Sequence, residues 1–468
     1  MIYTSVNVFH TGLGHYCGIT GIFSRDKMNI PEYLFYSLFA LQHRGQESSG
    51  IVYQKADSKL VSYKGLGMVS TVLSRYLQKE NHSRVGIGHV RYSTHGGNRV
   101  ENVQPILVTC NKGHIALGHN GNISNTGTLK NQLFEEGSIF QSTSDTELIL
   151  HLISRSRKTD FHQALSETLL KLEGAYSMTM IHEDSLLAMR DPFGFRPLYI
   201  GTSNGVTAVA SETCALDILR IENYRCIEPG EIVHIDEDGI HSELLDVQRP
   251  KRQCIFELIY FSRPDSQVFG ESVHETRKKM GRAMAAIDSV EADIVVPVPD
   301  SGNIAAMGYA EESGIPFEMG LQRNHYAGRS FILPTTGERE LAVRMKLHPV
   351  KTAIRGKRIV LIDDSIVRGT TSRILVNLLK EAGAQEVHLR LSSPEIKWPC
   401  YFGIDTPTRE ELISNQKSPD EIAAYIGADS VAFLPIEKLA TCVEKPDEYC
   451  YACYNGSYPV RIENKDGC

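Results

Sequence analysis

The run Arg358-Ile359-Val360-Leu361-Ile362-Asp363-Asp364-Ser365-Ile366-Val367-Arg368-Gly369-Thr370-Thr371 constrains the fold more than any other part of the chain. Its apolar stretch, Ile359 to Ile362, predicts a short strand buried on both faces, the kind found in parallel sheets covered by helices. The strand delivers two acids at its carboxyl end, where open α/β sheets bind ligands. A Gly-Thr-Thr turn then opens a helix, whose first N–H groups and dipole suit a phosphate. Ile294 to Val298 is a second apolar run, while Val387 to Leu391 alternates and predicts a strand with one face covered less completely. Helical patterns over Asn303 to Ser313 and Thr371 to Ala382 fall between these strands. That is βαβ order, hence a mostly parallel sheet in the second half.

The first half reads differently, as strands and hairpins with a few helices. Pro31 is placed to open a helix with Leu34, Phe35, Leu38 and Leu41 on one stripe, ending near Gly45. Val85 to Val90 and Ile115 to Leu117 predict strands, the second running into an Asn120-Gly121 turn. Ser144-Asp145-Thr146-Glu147 has the form of a capping box, which sets Asp145 in a first helical turn ahead of Leu148, Ile149, Leu152 and Ile153. The polar, proline-containing stretch from Glu243 to Lys251 predicts a boundary, giving units 17–248 and 249–468. A length of 468 residues accommodates either two or three domains at about 150 residues each. The formal net charge of -7 argues against a general nucleic-acid or anionic-membrane binder, which needs a basic face. No apolar run approaches the ~20 residues of a membrane span. The first sixteen residues carry no Lys or Arg and make a poor secretory signal, so the expected location is the cytoplasm. In a reducing compartment the chain's ten cysteines are expected to be free, metal-bound or catalytic.

Cys17-Gly18-Ile19-Thr20-Gly21-Ile22-Phe23 is a small-residue strand that starts at a cysteine. It is followed in order by Gln42-His43-Arg44-Gly45-Gln46, Gly88-His89-Val90-Arg91-Tyr92, His119-Asn120-Gly121-Asn122, Ser142-Thr143-Ser144-Asp145 and Arg190-Asp191-Pro192-Phe193-Gly194. This ordered set resembles the class II glutamine amidotransferases, which use an N-terminal nucleophile in a four-layer fold. The resemblance implies that residues 1–16 are a propeptide cut at Tyr16-Cys17. The freed α-amine, with an unperturbed pKa of about 7.7–8.0, would then serve as the base for the thiol. It further implies an oxyanion hole from the Asn120 side chain and the Gly121 N–H. Arg91 would hold the glutamine α-carboxylate and Asp145 its α-ammonium, with Arg44 and Thr94 supporting the glutamine site.

The Asp363-Asp364 run resembles the fingerprint with which type I phosphoribosyltransferases bind phosphoribosylpyrophosphate (PRPP). Asp363 and Asp364 would hold the ribose hydroxyls directly or through Mg²⁺, with Ser301 of Val298-Pro299-Asp300-Ser301-Gly302 near the metal. Ser365, Ile366, Val367, Arg368, Gly369, Thr370 and Thr371 would wrap the 5′-phosphate. Where base-using relatives carry an acid, this chain has Val367, which suits a dry site that accepts ammonia. Asn324 to Phe331 resembles a mobile loop over PRPP, continued by Val343 to Leu347. Arg329 and Lys346 are phosphate ligands or ordinary solvated charges, and His325 has no assigned role.

Cys450-Tyr451-Ala452-Cys453, Cys254 and Cys400 stand in segments similar to the iron–sulfur subgroup of these amidotransferases. The resemblance implies a [4Fe–4S] cluster on the four thiolates, although four thiolates also satisfy tetrahedral zinc. Cys110, Cys214, Cys226, Cys442 and Cys468 carry no assigned function.

Together the resemblances imply a glutaminase joined to a phosphoribosyltransferase. Ammonia from glutamine would reach C1 of PRPP, giving 5-phosphoribosylamine, glutamate and pyrophosphate, the first step of purine synthesis. AMP and GMP are then expected as feedback inhibitors and a homo-oligomer, tetramer or dimer, as the working state. Two alternatives remain open: a class II amidotransferase with a different acceptor domain, and a PRPP-sensing regulator without catalysis.

Overall fold

The structure is a computed structural model, and it describes residues 17–77, 82–92, 99–324, 343–404 and 406–462. The expected propeptide, Thr94, His325, Arg329 and Cys468 lie outside the described residues. Among the described residues, the first half forms a seven-stranded and a six-stranded sheet, both antiparallel. The strands that matter most are β1 (Gly18–Met28), β2 (Ser83–Arg91), β3 (Gly113–Ile123) and β4 (Gly174–His182). β1 is central in its sheet, with Gly18 opposite Val90 of β2 and Thr20 opposite Ala210 on the other side. In the second sheet β3 pairs with β4, Asn120 lying opposite Ser177.

The two sheets face each other. Ile19, Val85 and Ile87 from one meet Ala116, Ile181 and Ala188 from the other in a common core. Helix α1 (Ile30–Ala40) covers the outer face of the first sheet through Ile30, Leu34 and Leu38. Helix α2 (Asp145–Arg155) covers the outer face of the second, Ile149 and Ile153 packing on Ile115, Leu117 and Met178. The result is an αββα stack. Two local expectations change here. On α1, Phe35 is only half-buried, and Ser37 turns inward to donate to Thr20 Oγ1 at 2.7 Å. At the start of α2, Ser144 caps Thr146 N–H, but Glu147 does not close a capping box; it accepts from the N–H groups of Gln141 and Ser142.

The second half contains a four-stranded parallel sheet of β5 (Ile294–Pro297), β6 (Arg358–Asp363), β7 (Glu386–Leu391) and β8 (Ser430–Phe433), in that order. Helices lie on both faces. Met280, Met284 and Tyr309 pack on Val295, Val360 and Ile362. On the other face Leu375 and Leu379, of helix α4 (Thr370–Glu381), pack on Ile359, Leu361 and Leu389. Helix α3 (Asn303–Ser313) follows β5 as the sequence pattern predicts. β7 departs from expectation, because His388 and Arg390 on its polar face are buried too. They satisfy themselves with Ser430 and Glu386 for His388, and with Asp288 for Arg390. An alternating pattern therefore hides a covered face whenever the polar side chains find partners inside.

Candidate active sites

Cys17 stands at the head of β1, buried, with Tyr92 O 3.9 Å from its Sγ. Burial pushes the thiol up to about 12, against the pull of the Arg91, Arg44 and Arg196 guanidinium groups; the Asp145 carboxylate adds to the rise. At neutral pH this sulfur is a thiol and needs a base before it can attack anything.

The Asn120-Gly121 pair is not a turn. β3 runs straight through it to Ile123, held by its ladder with β4. Glycine is required at 121 because its φ is +151° and a Cβ would lie 2.0 Å from Ala175 O. Asn120 is buried, and its Nδ2 donor has no hydrogen-bond partner among the described residues. A buried amide donor left unsatisfied costs about 1–3 kcal/mol, so it marks a place where an acceptor is expected to arrive. His89 of β2 spans the two sheets beside it, its Nε2 3.0 Å from His119 O. Burial holds the His89 imidazole down at about 3, so it is neutral and donates this bond.

Arg91 ends β2 and is buried. Asp145, in the first turn of α2, accepts from Ile123 N–H at 3.1 Å and lies 3.5 Å from His119 Nδ1. Both charges act on the Cys17 thiol, so the expected glutamine-binding pair and the nucleophile share one neighbourhood. Arg44 touches the site through the nucleophile's backbone. Its Nε donates to Cys17 O at 3.1 Å, and Nη1 and Nη2 reach Glu257 at 3.0 and 2.7 Å while Nη1 also pairs with Glu212. The guanidinium braces the nucleophile's backbone and is spent on protein groups. Sequence reasoning missed Glu212, Glu257 and Arg196 in this network. Arg196 lies just beyond the Arg190–Gly194 motif, yet nothing local told which partners it would choose.

In the second half, Asp363 closes β6 and Asp364 follows it. Asp363 Oδ1 accepts from the Ser301 hydroxyl at 3.2 Å and from Asp364 N–H at 2.9 Å, and Asp364 accepts from the Ser365 hydroxyl. Burial, and for Asp363 also the adjacent Asp364 charge, raises both carboxyls above the usual range. Gly369 takes φ +75° and α4 starts at Thr370, so the chain turns sharply into a helix start, whose dipole suits an anion. Ile366 and Val367 are buried in hydrophobic cores on the two sides of the sheet. Burial of both side chains anchors the loop at these two positions. Arg368 pairs with Glu411 at 3.1 Å. The Lys346 side chain is exposed.

Cys254, Cys400, Cys450 and Cys453 line one cavity together with Phe195, Phe402 and Ile404. Cys254 and Cys450 face each other across a short parallel pairing. Among the described residues no three His, Cys, Asp or Glu side chains are already gathered closely around one point as for a metal ion. No described helix is long and apolar enough to cross a membrane.

A family model for a glutamine amidotransferase domain matches residues 89–217. Amidophosphoribosyltransferase 1 of Arabidopsis thaliana, a chloroplastic protein, is 48% identical over 447 residues, covering 95% of this chain and 79% of its own. The amidophosphoribosyltransferase of Methanocaldococcus jannaschii is 46% identical over 464 residues, covering 95% and 98%. A solved structure of glutamine PRPP amidotransferase from B. subtilis, complexed with ADP and GMP, superimposes with a TM-score of 0.89 at 45% identity, covering 96% of this chain and 98% of that one. The likeness runs through both halves, so a different acceptor domain is excluded, and the chain belongs to the amidophosphoribosyltransferase family.

Proposed function

We propose that the chain converts glutamine, PRPP and water to glutamate, 5-phosphoribosylamine and pyrophosphate, with its two sites dividing the work as follows. Cys17 becomes the N-terminus once residues 1–16 are removed, and its α-amine takes the thiol proton. The sulfur attacks the glutamine amide carbon, ammonia leaves, and water opens the thioester. The oxyanion formed in both steps is held by Asn120 Nδ2 and Gly121 N–H. The unpartnered, buried Asn120 donor is the observation that carries this reading. Arg91 and Asp145 bind the α-carboxylate and α-ammonium of glutamine, and Arg44 fixes the backbone of Cys17.

The units are residues 17–248 and 249–468. In the second, the loop from Ser365 to Thr371 binds the 5′-phosphate, mainly through backbone N–H groups. Asp363, Asp364 and Ser301 are hard oxygen donors, the set that fits Mg²⁺ when substrate oxygens complete its shell. Mg²⁺ would offset the crowded carboxylate charge and that of pyrophosphate. Ammonia passes inside the protein, since free ammonia is mostly protonated in neutral water and unreactive. All four thiols border one apolar-walled cavity, and four thiolates are the donor set that an iron–sulfur cluster takes. Cys254, Cys400, Cys450 and Cys453 would hold a [4Fe–4S] cluster there, tying Cys400 to distant segments as a structural staple. Purine nucleotides such as AMP and GMP are the inhibitors, in keeping with the nucleotides bound to the B. subtilis neighbour. The working state is a homo-oligomer in the cytoplasm.

Cys17→Ser tests the division. It is expected to abolish glutamine-dependent pyrophosphate release while ammonia-dependent release persists. Loss of both in a folded protein would refute separate sites. Visible absorption and iron and sulfide content of anaerobically purified protein test the cluster; zinc in their place would replace it.

A further inference from the structure

One carboxylate of the second half connects to both sides of the glutaminase site. Glu257 is fully buried. Its Oε1 accepts from Arg44 Nη2 at 2.7 Å and Arg196 Nη1 at 3.3 Å, and its Oε2 from Arg44 Nη1 at 3.0 Å and the Ser262 hydroxyl at 2.9 Å. Along one arm, Arg44 Nε donates to Cys17 O at 3.1 Å. Along the other, Arg196 Nε and Nη2 donate to Phe402 O at 3.1 and 2.7 Å. The next residue, Gly403, lies against the oxyanion strand: a Cβ there would be 3.1 Å from Gly121 C and 3.0 Å from Arg196 Nη2. Asn122 Nδ2 donates to Tyr401 O at 2.9 Å, joining the same two segments one residue further on. Stacking of Phe195 on Phe402, with centroids 4.3 Å apart, stiffens the contact.

These links matter because the tetrahedral oxyanion is stabilised only if Cys17 and the two donors keep their separation. A misplacement of about 1 Å can cost on the order of 10²-fold in rate. Nucleophile and donors sit on different sheets, so their spacing is set by whatever bridges the sheets at this end. Glu257 forms such a bridge, and its charge is locked in place by two buried guanidinium groups.

We propose that Glu257 is a positioning residue for amide opening at Cys17, setting the distance between the nucleophile and the Asn120–Gly121 donors from the second half of the chain. The proposal rests on the reading of Cys17, Asn120 and Gly121 as the reaction site. Glu257→Gln in the full-length, matured protein is expected to lower the glutamine-dependent kcat roughly 10- to 100-fold, with the KM for glutamine and ammonia-dependent synthesis within about twofold of wild type. An equal fall in both activities, a loss confined to KM, or no loss overturns the proposal. Should that variant fail to fold, Glu257→Asp carries the test, since it keeps the charge and shortens the link between Arg44 and Arg196 by one methylene. The same kcat-selective loss supports the proposal, and an unchanged glutamine-dependent kcat overturns it. Glutamine-dependent turnover by Cys17→Ala would instead strike the reading of the site itself, and the proposal falls with it.

Discussion

Around Cys17, Arg44 and Arg196 are matched by the buried carboxylates Glu212 and Glu257, whereas Asp363 and Asp364 stand side by side with hydroxyls and a backbone N–H as hydrogen-bond partners. Burial opposes the Glu212 charge, but His43 and Arg44 hold its carboxyl well below the usual range. At Asp363 burial and a like charge push the other way. The first site is electrically complete before any substrate arrives, as suits a small zwitterion that must be oriented and cut in a dry place. Among the described residues the Arg277 guanidinium acts on Asp364, yet burial still raises both carboxyls, as suits a site finished by a cation together with its anionic substrate.

The contrast predicts opposite responses to the same chemical change. Glu212→Gln breaks a buried ion pair and is expected to destabilise the protein by about 3–5 kcal/mol in denaturant unfolding at neutral pH. Because the folded-state pKa is depressed, that difference should hold above the unfolded value near 4.5 and shrink as pH falls below it. An equal loss at acid pH would mean the carboxylate is not what stabilises. Asn120→Ala should lower glutamine-dependent kcat by ~10²–10³-fold, about 3–4 kcal/mol, at little cost in stability, since it deletes an unsatisfied donor. A large drop in melting temperature with normal kcat would make Asn120 structural. Asp363→Asn should cut synthesis from either nitrogen source on the order of 10²-fold, yet raise the melting temperature of the unloaded protein by relieving repulsion. A lower melting temperature would contradict the contrast directly. At His89 the expected effect is confined to acid pH, because its imidazole is kept neutral by burial. With the folded value lowered to about 3, stability is full above the unfolded pKa of 6.5 and declines as pH falls between the two. One proton of slope, about 1.4 kcal/mol per pH unit, should vanish from that limb in His89→Gln.

Local signals were legible and distant partnerships were not. The run ending in Asp363-Asp364 announces strand, acid pair and helix start because all three are contiguous, and the parallel sheet follows from their order. Cys17, Arg91 and Asp145 were visible as an ordered motif set, and the fold gathers their charges in one place. Asn120-Gly121 misled because turn propensity is local, while its ladder with β4 is a tertiary choice that overrides it. The polar face of Val387 to Leu391 misled for the same reason: Asp288, the partner of Arg390, lies far away in sequence. Arg196, Glu212 and Glu257 are charged residues of ordinary appearance, and only packing shows that they and Arg44 neutralise one another.

The most direct measurement is to inactivate active enzyme with a diazoketone analogue of glutamine and locate the adduct by peptide mass spectrometry. A single label is expected on the sulfur of Cys17, in a peptide that begins at Cys17 with a free amine. Active, labelled enzyme that still carries residues 1–16, or a label on any other side chain, would contradict it.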